Sequence, residues 1–156
     1  MVSRKISIGN QGFDSIREND CFLIDKTQFI KEWWESSDVV TLITRPRRFG
    51  KTLNMSMLNC FFSDRYAGRS DLFEGLSVWT DEKYRNLQGT YPVIFLSFAD
   101  VKQPDYKEAV QKIKSILADV YKQFAYVRED ARFSEEDREQ FAKIKPEMDN
   151  VTAQDA

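Results

Sequence analysis

VVTLITRPRRFGKTLNMSMLNCFF, residues 39–62, falls into three parts. Val39 to Thr44 is an uncharged apolar run rich in β-branched residues. A run of this kind without alternation suits a strand buried on both faces, as in a parallel sheet. Arg45-Pro46-Arg47-Arg48-Phe49-Gly50 is a cationic turn. Lys51 to Phe62 reads as an amphipathic helix with Leu53, Met57, Leu58, Phe61 and Phe62 on its apolar face.

Strand, turn and helix in that order is the setting of a phosphate-binding loop, whose pattern is Gly, four residues, then Gly-Lys-Ser/Thr. The tail of the pattern is present as Gly50, Lys51 and Thr52, while Arg45 stands where the first glycine belongs. The start of a helix leaves backbone N–H groups unpaired and carries partial positive charge, so it attracts anions. Gly50 permits close approach of a phosphate, Lys51 would reach the β and γ phosphates, and the Thr52 hydroxyl would ligate Mg²⁺. Arg45, Arg47 and Arg48 add permanent charges with forked donors suited to phosphate oxygens. Pro46 stiffens the turn and steers Arg45 away from helical backbone. On the bare pattern, a basic surface turn and a phosphate loop are both open, and the flanking elements favour the second.

The stretch Arg-Pro-Arg-Arg-Phe-Gly-Lys-Thr-Leu, residues 45–53, followed by Met55-Ser56-Met57-Leu58 and Phe61-Phe62, resembles the bacterial AAA-ATPase-like family of P-loop proteins. Three flanking segments resemble it too: Phe22-Leu23-Ile24-Asp25-Lys26-Thr27, Asp71-Leu72-Phe73-Glu74-Gly75-Leu76, and Tyr91-Pro92-Val93-Ile94-Phe95-Leu96-Ser97-Phe98. The resemblance covers roughly residues 10–125, and the family tolerates arginine at the first glycine. It implies ATP and Mg²⁺ as ligands, a cytoplasmic setting and, in the full-length architecture, a C-terminal PD-(D/E)XK nuclease-like domain that leaves nucleic acid open as a partner. No such domain is found in this sequence.

Composition is that of an ordinary globular chain: 156 residues, 42% hydrophobic, 31% charged and a formal net charge of −2. Residues 128–156 hold five basic and nine acidic side chains, leaving +2 on the first 127, so the positive character is concentrated in the turn. The sequence contains no histidine, which excludes Ser-His-Asp, Cys-His and His–metal chemistry within it. Cys21 and Cys60 sit in apolar surroundings without a Cys-x-x-Cys, and read as reduced buried thiols rather than zinc ligands. No apolar run approaches the ~20 residues of a membrane span, and no signal peptide follows Met1 to Lys5.

In chain order, Cys21 to Asp25 reads as a short strand. Asp25 caps a helix from Thr27 to Glu35, with Phe29, Ile30, Trp33 and Trp34 partly buried. Leu72, Phe73 and Leu76 pack inward from a short helix or turn at 71–76. Asp81 to Leu87 is a short helix, and Val93 to Phe98 a second strand behind the break at Gly89 to Pro92. A long amphipathic helix runs from Asp105 to Tyr126, with Ala109, Ile113, Ile116, Leu117, Val120, Tyr121 and Phe124 on one broad face. Ser134 opens an acidic helix that Pro146 ends or interrupts.

The expected fold is therefore α/β: a P-loop NTPase-like parallel sheet flanked by helices, incomplete at its C-terminal side. Residues 1–38 would be an N-terminal segment, 39–126 the P-loop core and 127–156 an acidic helical tail. Two weaker site candidates lie outside the turn. Asp25 and Lys26 are accounted for by a helix cap and a solvated lysine, although the resemblance leaves room for a role near the nucleotide. Asp100, after the second strand, could hold Mg²⁺ through water, or be a plain loop aspartate. The family's Asp-Glu pair comes on a later strand that this sequence lacks, so no catalytic acid or water-orienting group is identified. The function expected is ATP/Mg²⁺ binding through a variant Walker A loop, with weak or no turnover by this chain alone. The alternatives are a regulatory module that only holds nucleotide, and a nucleic-acid binder using the arginine turn. Oligomeric state is not legible.

Overall fold

The computed structural model describes residues 5–143. The chain divides into two units, Met1–Val93 and Ile94–Ala156.

The first unit is built around three helices, α1 (Phe13–Glu18), α2 (Gln28–Ser36) and α3 (Lys51–Phe62), followed by α4 (Glu82–Leu87). Short 3₁₀ turns at Asp64–Tyr66, Ser70–Leu72 and Ser77–Thr80 connect α3 to α4. The α3 helix is the centre of the core. Met57, Cys60, Phe61 and Phe62 are buried on it, and Leu53 and Leu58 pack against the cluster from its margins. Phe61 meets the ring of Phe73 edge-on at 5.1 Å, and Phe13 from α1 stacks on Phe73 at the same separation. Trp34 from α2 stacks on Phe62 at 5.5 Å. Each fully buried ring contributes roughly 1.5–3 kcal/mol, and each well-placed ring pair about 0.5–1.5 kcal/mol more. Leu72, Phe73 and Leu76 close the cluster, as their spacing predicts.

Polar contacts tie α1 to α3. The Phe13 N–H donates to Ser56 Oγ at 3.0 Å, and the Tyr66 hydroxyl to Asp14 Oδ2 at 2.8 Å. Burial, with the bond to Asp14, pushes the Tyr66 hydroxyl well above the usual tyrosine range. Burial likewise pushes the Cys60 thiol up, so it stays protonated and unreactive. Cys21 is only partly buried. The chain returns past the end of α3: Gly89 N–H donates to the Phe61 carbonyl at 2.8 Å and Tyr91 N–H to the Phe62 carbonyl at 2.9 Å.

The expected parallel sheet is not there. Among the described residues the only β pairings are two isolated parallel bridges, Lys5 with Cys21 and Ser63 with Tyr91, and the architecture is helical. Val39 to Thr44 forms no regular secondary structure and no β pairing, and Val39 and Leu42 are 99% and 81% exposed. Val93 to Phe98 is also unpaired, with Ile94 64% exposed. Cys21 to Asp25 contributes a single bridge residue. The composition of these runs favours strands, but neither run forms regular secondary structure. A strand, however, also needs a neighbour offering N–H and C=O groups in register, which is a tertiary property. A P-loop sheet flanked by helices is thus overturned for this structure.

The second unit contains α5 (Tyr106–Gln123), a 3₁₀ turn at Ala125–Glu129 and α6 (Glu135–Lys143). Asp105 caps α5, accepting from the N–H groups of Lys107 at 2.7 Å and Glu108 at 3.3 Å. The broad apolar face of α5 is mostly half-buried, and Ala118 is its one fully buried residue among those described. Tyr121 meets Phe141 of α6 at 4.9 Å. Ser134 and Asp137 satisfy each other's backbone N–H groups at 3.1 and 3.0 Å, the reciprocal cap that opens α6. Pro146 and the residues after it lie outside the described range. None of the helices in that range is long and apolar enough to cross a membrane.

Candidate functional site

The turn ahead of α3 is shaped by two left-handed residues. Gly50, the N-cap of α3, has φ +76°, and Arg48 has φ +69°. Glycine takes this conformation freely, whereas arginine in it costs about 1–2 kcal/mol. The Gly50 carbonyl accepts the first helical bond, from Asn54 N–H at 2.9 Å. Lys51 folds back over the turn and donates its Nζ to the carbonyl of Arg45, closing the loop on itself. The first N–H groups of a 12-residue helix are thereby presented at Gly50 with a lysine held over them.

Cations gather around this point. A Cβ built on Gly50 would have Lys26 Nζ as its nearest neighbour, at 3.9 Å, so the lysine of Asp25-Lys26-Thr27 reaches the turn. None of Lys26, Arg45, Arg47, Arg48 and Lys51 has a carboxylate partner among the described residues. Elsewhere the pattern differs: Arg69 is held by Glu18 and Asp71, and Lys83 by Glu35. Like charges collected without counter-charges repel one another, and an anion at their centre relieves that repulsion.

A cleft of about 680 Å³ opens on one side of the turn. Arg47, Arg48, Gly50, Lys51, Thr52 and Leu53 line it from the turn and α3, and the segment 8–11 lines it from the other side. Of the residues expected from sequence, five therefore meet in one cleft. Arg45 lines neither this cleft nor its neighbour and enters the turn through its carbonyl. A second cavity of about 390 Å³ adjoins this cleft, sharing Asn10, Arg48, Gly50 and Leu53, with Lys26, Phe22 and Phe49 in its walls. Phe49 belongs to that side and is still 61% exposed.

Asp25 has a structural duty. Its carboxylate accepts from Thr27 N–H at 2.8 Å, Thr27 Oγ1 at 2.7 Å and Ser77 N–H at 2.7 Å. Thr27, rather than Asp25, stands at the cap position of α2. Partial burial pushes the Asp25 carboxyl up, but the bonds from Thr27 and Ser77 outweigh it and hold the carboxyl below the usual aspartate range. The consequence is that the backbone of Lys26 is fixed on both sides. Asp100 lies exposed at a turn in the second unit.

Phosphate suits the donor set: a helix start, a left-handed glycine and several unpaired cations. Mg²⁺ alone does not suit it, since the cleft lining contains no carboxylate and no cluster of three metal-binding side chains occurs among the described residues. Thr52 offers one hydroxyl, so Mg²⁺ fits only as a passenger on nucleotide phosphates. The 8–11 wall was not foreseeable from its own sequence, in which only the glycines at 9 and 12 mark a turn.

The profile of a family described as Predicted AAA-ATPase matches residues 7–155. The chain belongs to this family. An uncharacterized protein in the vnfD 5′ region of Azotobacter chroococcum mcd 1 is 34% identical over 118 residues. That match takes in 75% of the present chain and 21% of the relative, so the chain spans about a fifth of the curated relative's length. No solved structure matches the chain significantly. A predicted AAA-ATPase family carries with it the general expectation of nucleotide binding.

Proposed function

We propose that the chain binds the phosphates of Mg-ATP at the turn 45–52, a variant Walker A loop. The observation that carries this is that Lys26, Arg47, Arg48 and Lys51 border the two cavities at Gly50 without a carboxylate partner among the described residues. Gly50 and the first N–H groups of α3 cradle a phosphate, Lys51 exchanges the Arg45 carbonyl for phosphate oxygens, and Thr52 contributes its hydroxyl to the accompanying Mg²⁺. Arg47 and Arg48 contact the flanking oxygens, and Lys26 approaches from the adjoining cavity. Membership in the family supports this function.

A second reading, nucleotide holding without turnover, is favoured by the cleft lining. Hydrolysis needs an acid for the metal and a group that orients water, and no Asp or Glu lines the cleft. The test is calorimetric titration of Mg-ATP into the wild type and Lys51→Ala. The expected result is binding that weakens by at least about tenfold in the variant, as loss of a charge-assisted bond implies. Equal affinities would overturn the proposal. A DNA affinity that falls steeply with salt, with no Mg-ATP binding, would turn the arginine turn into a nucleic-acid site.

A further inference from the structure

The segment Asp25-Lys26-Thr27 is held more firmly than an exposed lysine requires. Thr27 is fully buried, and its Oγ1 donates to Asp25 Oδ1 at 2.7 Å while accepting from Val78 N–H at 3.1 Å. The Asp25 carboxylate also accepts from the N–H groups of Thr27 and Ser77, at 2.8 and 2.7 Å. The Lys26 carbonyl accepts from Phe29 N–H at 3.0 Å, in the first turn of α2. These bonds fix the backbone around Lys26 but leave its ammonium without a carboxylate partner among the described residues. That ammonium reaches the phosphate turn, where it would stand 3.9 Å from a Cβ built on Gly50.

Lys26 and Lys51 do not line the same space. Lys51 lines the larger cleft and Lys26 the smaller cavity adjoining it, while Arg48 and Gly50 line both. No carboxylate lines either one. The two lysines are thus offered to neighbouring spaces that meet at Gly50. We infer, resting on the phosphate function above, that Lys26 reads the length of a phosphate chain, contacting a second phosphate of a ligand whose first phosphate Lys51 holds. Asp25 is its positioning residue. A single phosphate seated at the start of α3 occupies the space lined by Lys51 and brings no oxygen to Lys26. A diphosphate or triphosphate carries its charge onward past Gly50, where the absent side chain leaves the way to the ammonium open. Arg48 continues the cationic lining from one space to the next. An ammonium is a compact donor that binds phosphate oxygens as a point charge. Anchoring its backbone in advance lowers the ordering cost of that contact.

Inorganic phosphates test this without a base or sugar. Titrations followed by phosphorus NMR would compare orthophosphate, pyrophosphate and tripolyphosphate on the wild type, Lys51→Ala, Lys26→Ala, Asp25→Asn and Asp25→Asn/Lys26→Ala. Lys51→Ala should weaken all three ligands. Lys26→Ala should weaken tripolyphosphate by about tenfold and leave orthophosphate within about twofold. Asp25→Asn should reproduce that pattern and add no loss in the Lys26→Ala background. A merely structural role for Asp25 would weaken every ligand alike and would persist without Lys26. The Lys26 side chain is exposed and takes no part in the Asp25 bonds, so its variant tests the reading even where Asp25→Asn costs stability. Unchanged tripolyphosphate affinity in Lys26→Ala, with Lys51→Ala weak for all three, would overturn the inference and leave the loop standing. Parallel loss of orthophosphate and tripolyphosphate in Lys26→Ala would overturn it as well. A further loss on adding Asp25→Asn to Lys26→Ala would take the positioning role from Asp25. Equal binding of all three ligands in wild type and Lys51→Ala would remove the phosphate function and the inference together.

Discussion

Two glycines with nearly the same backbone should respond very differently to alanine. Gly50 and Gly89 have φ of +76° and +73°, so each substitution meets the same left-handed penalty of about 1–2 kcal/mol. Around Gly50 the added Cβ meets only Lys26 Nζ, the far end of a flexible chain, at 3.9 Å. At Gly89 it would stand 2.6 Å from Ala67 Cα and 3.0 Å from Ala67 N, atoms of the backbone. Relieving that overlap requires the chain to shift, at about 1–3 kcal/mol for overpacking. The shift also strains the bond from Gly89 N–H to the Phe61 carbonyl at the end of α3, worth about 0.5–1.5 kcal/mol. Gly50→Ala should therefore lose about 1–2 kcal/mol and Gly89→Ala about 3–5 kcal/mol, read as denaturant midpoints at unchanged slope. In thermal melts each kcal/mol corresponds to about 4–8 °C for a unit of this size. Equal losses, or a larger loss at Gly50, would refute the account of the Ala67–Gly89 approach.

Three more expectations concern the scaffold. Phe61→Ala removes a ring that is fully buried between Phe62 and Phe73, and should cost about 3–5 kcal/mol in denaturant unfolding. Asp25→Ala removes the acceptor shared by Thr27 and Ser77; after discounting for solvent screening of a largely exposed carboxylate, the loss should be about 1–2 kcal/mol. Because the Asp25 carboxyl is depressed in the folded state, its contribution is complete above the ordinary value of 3.8 and is lost as pH falls through the lower folded value. The stability gap between wild type and Asp25→Ala should accordingly be constant near neutrality and close below about pH 4 in pH-dependent melts.

Local features were legible where the chain carries its own signal. Periodicity located α3 and α5, and Asp81 and Asp105 mark helix starts whose first N–H groups they accept. The cationic turn was legible because Arg47, Arg48, Gly50, Lys51 and Thr52 are contiguous, so local backbone alone brings them into one cleft. What could not be read depends on distant partners. Ser77 binds Asp25 across 52 positions, and residues 8–11 face the turn only because α1 is pinned to α3. The two apolar runs show the same limit from the other side: the β-branched residues of Val39 to Thr44 favour a strand but cannot declare the neighbour that a strand requires.

That unpaired run bears on how long the folded protein survives around proteases. A protease cleft grips its substrate as an extended strand, borrowing free backbone N–H and C=O groups. Most of a folded domain must open before it can be gripped, but Val39 to Thr44 lies outside any helix or β pairing and is largely exposed. It leads directly into Arg47 and Arg48, the side chains a trypsin-like enzyme selects, while Pro46 shields the bond after Arg45. A phosphate ligand seated on those arginines would compete with the protease for the same charges. Digestion at this turn would then proceed at a rate set by how full the cleft is.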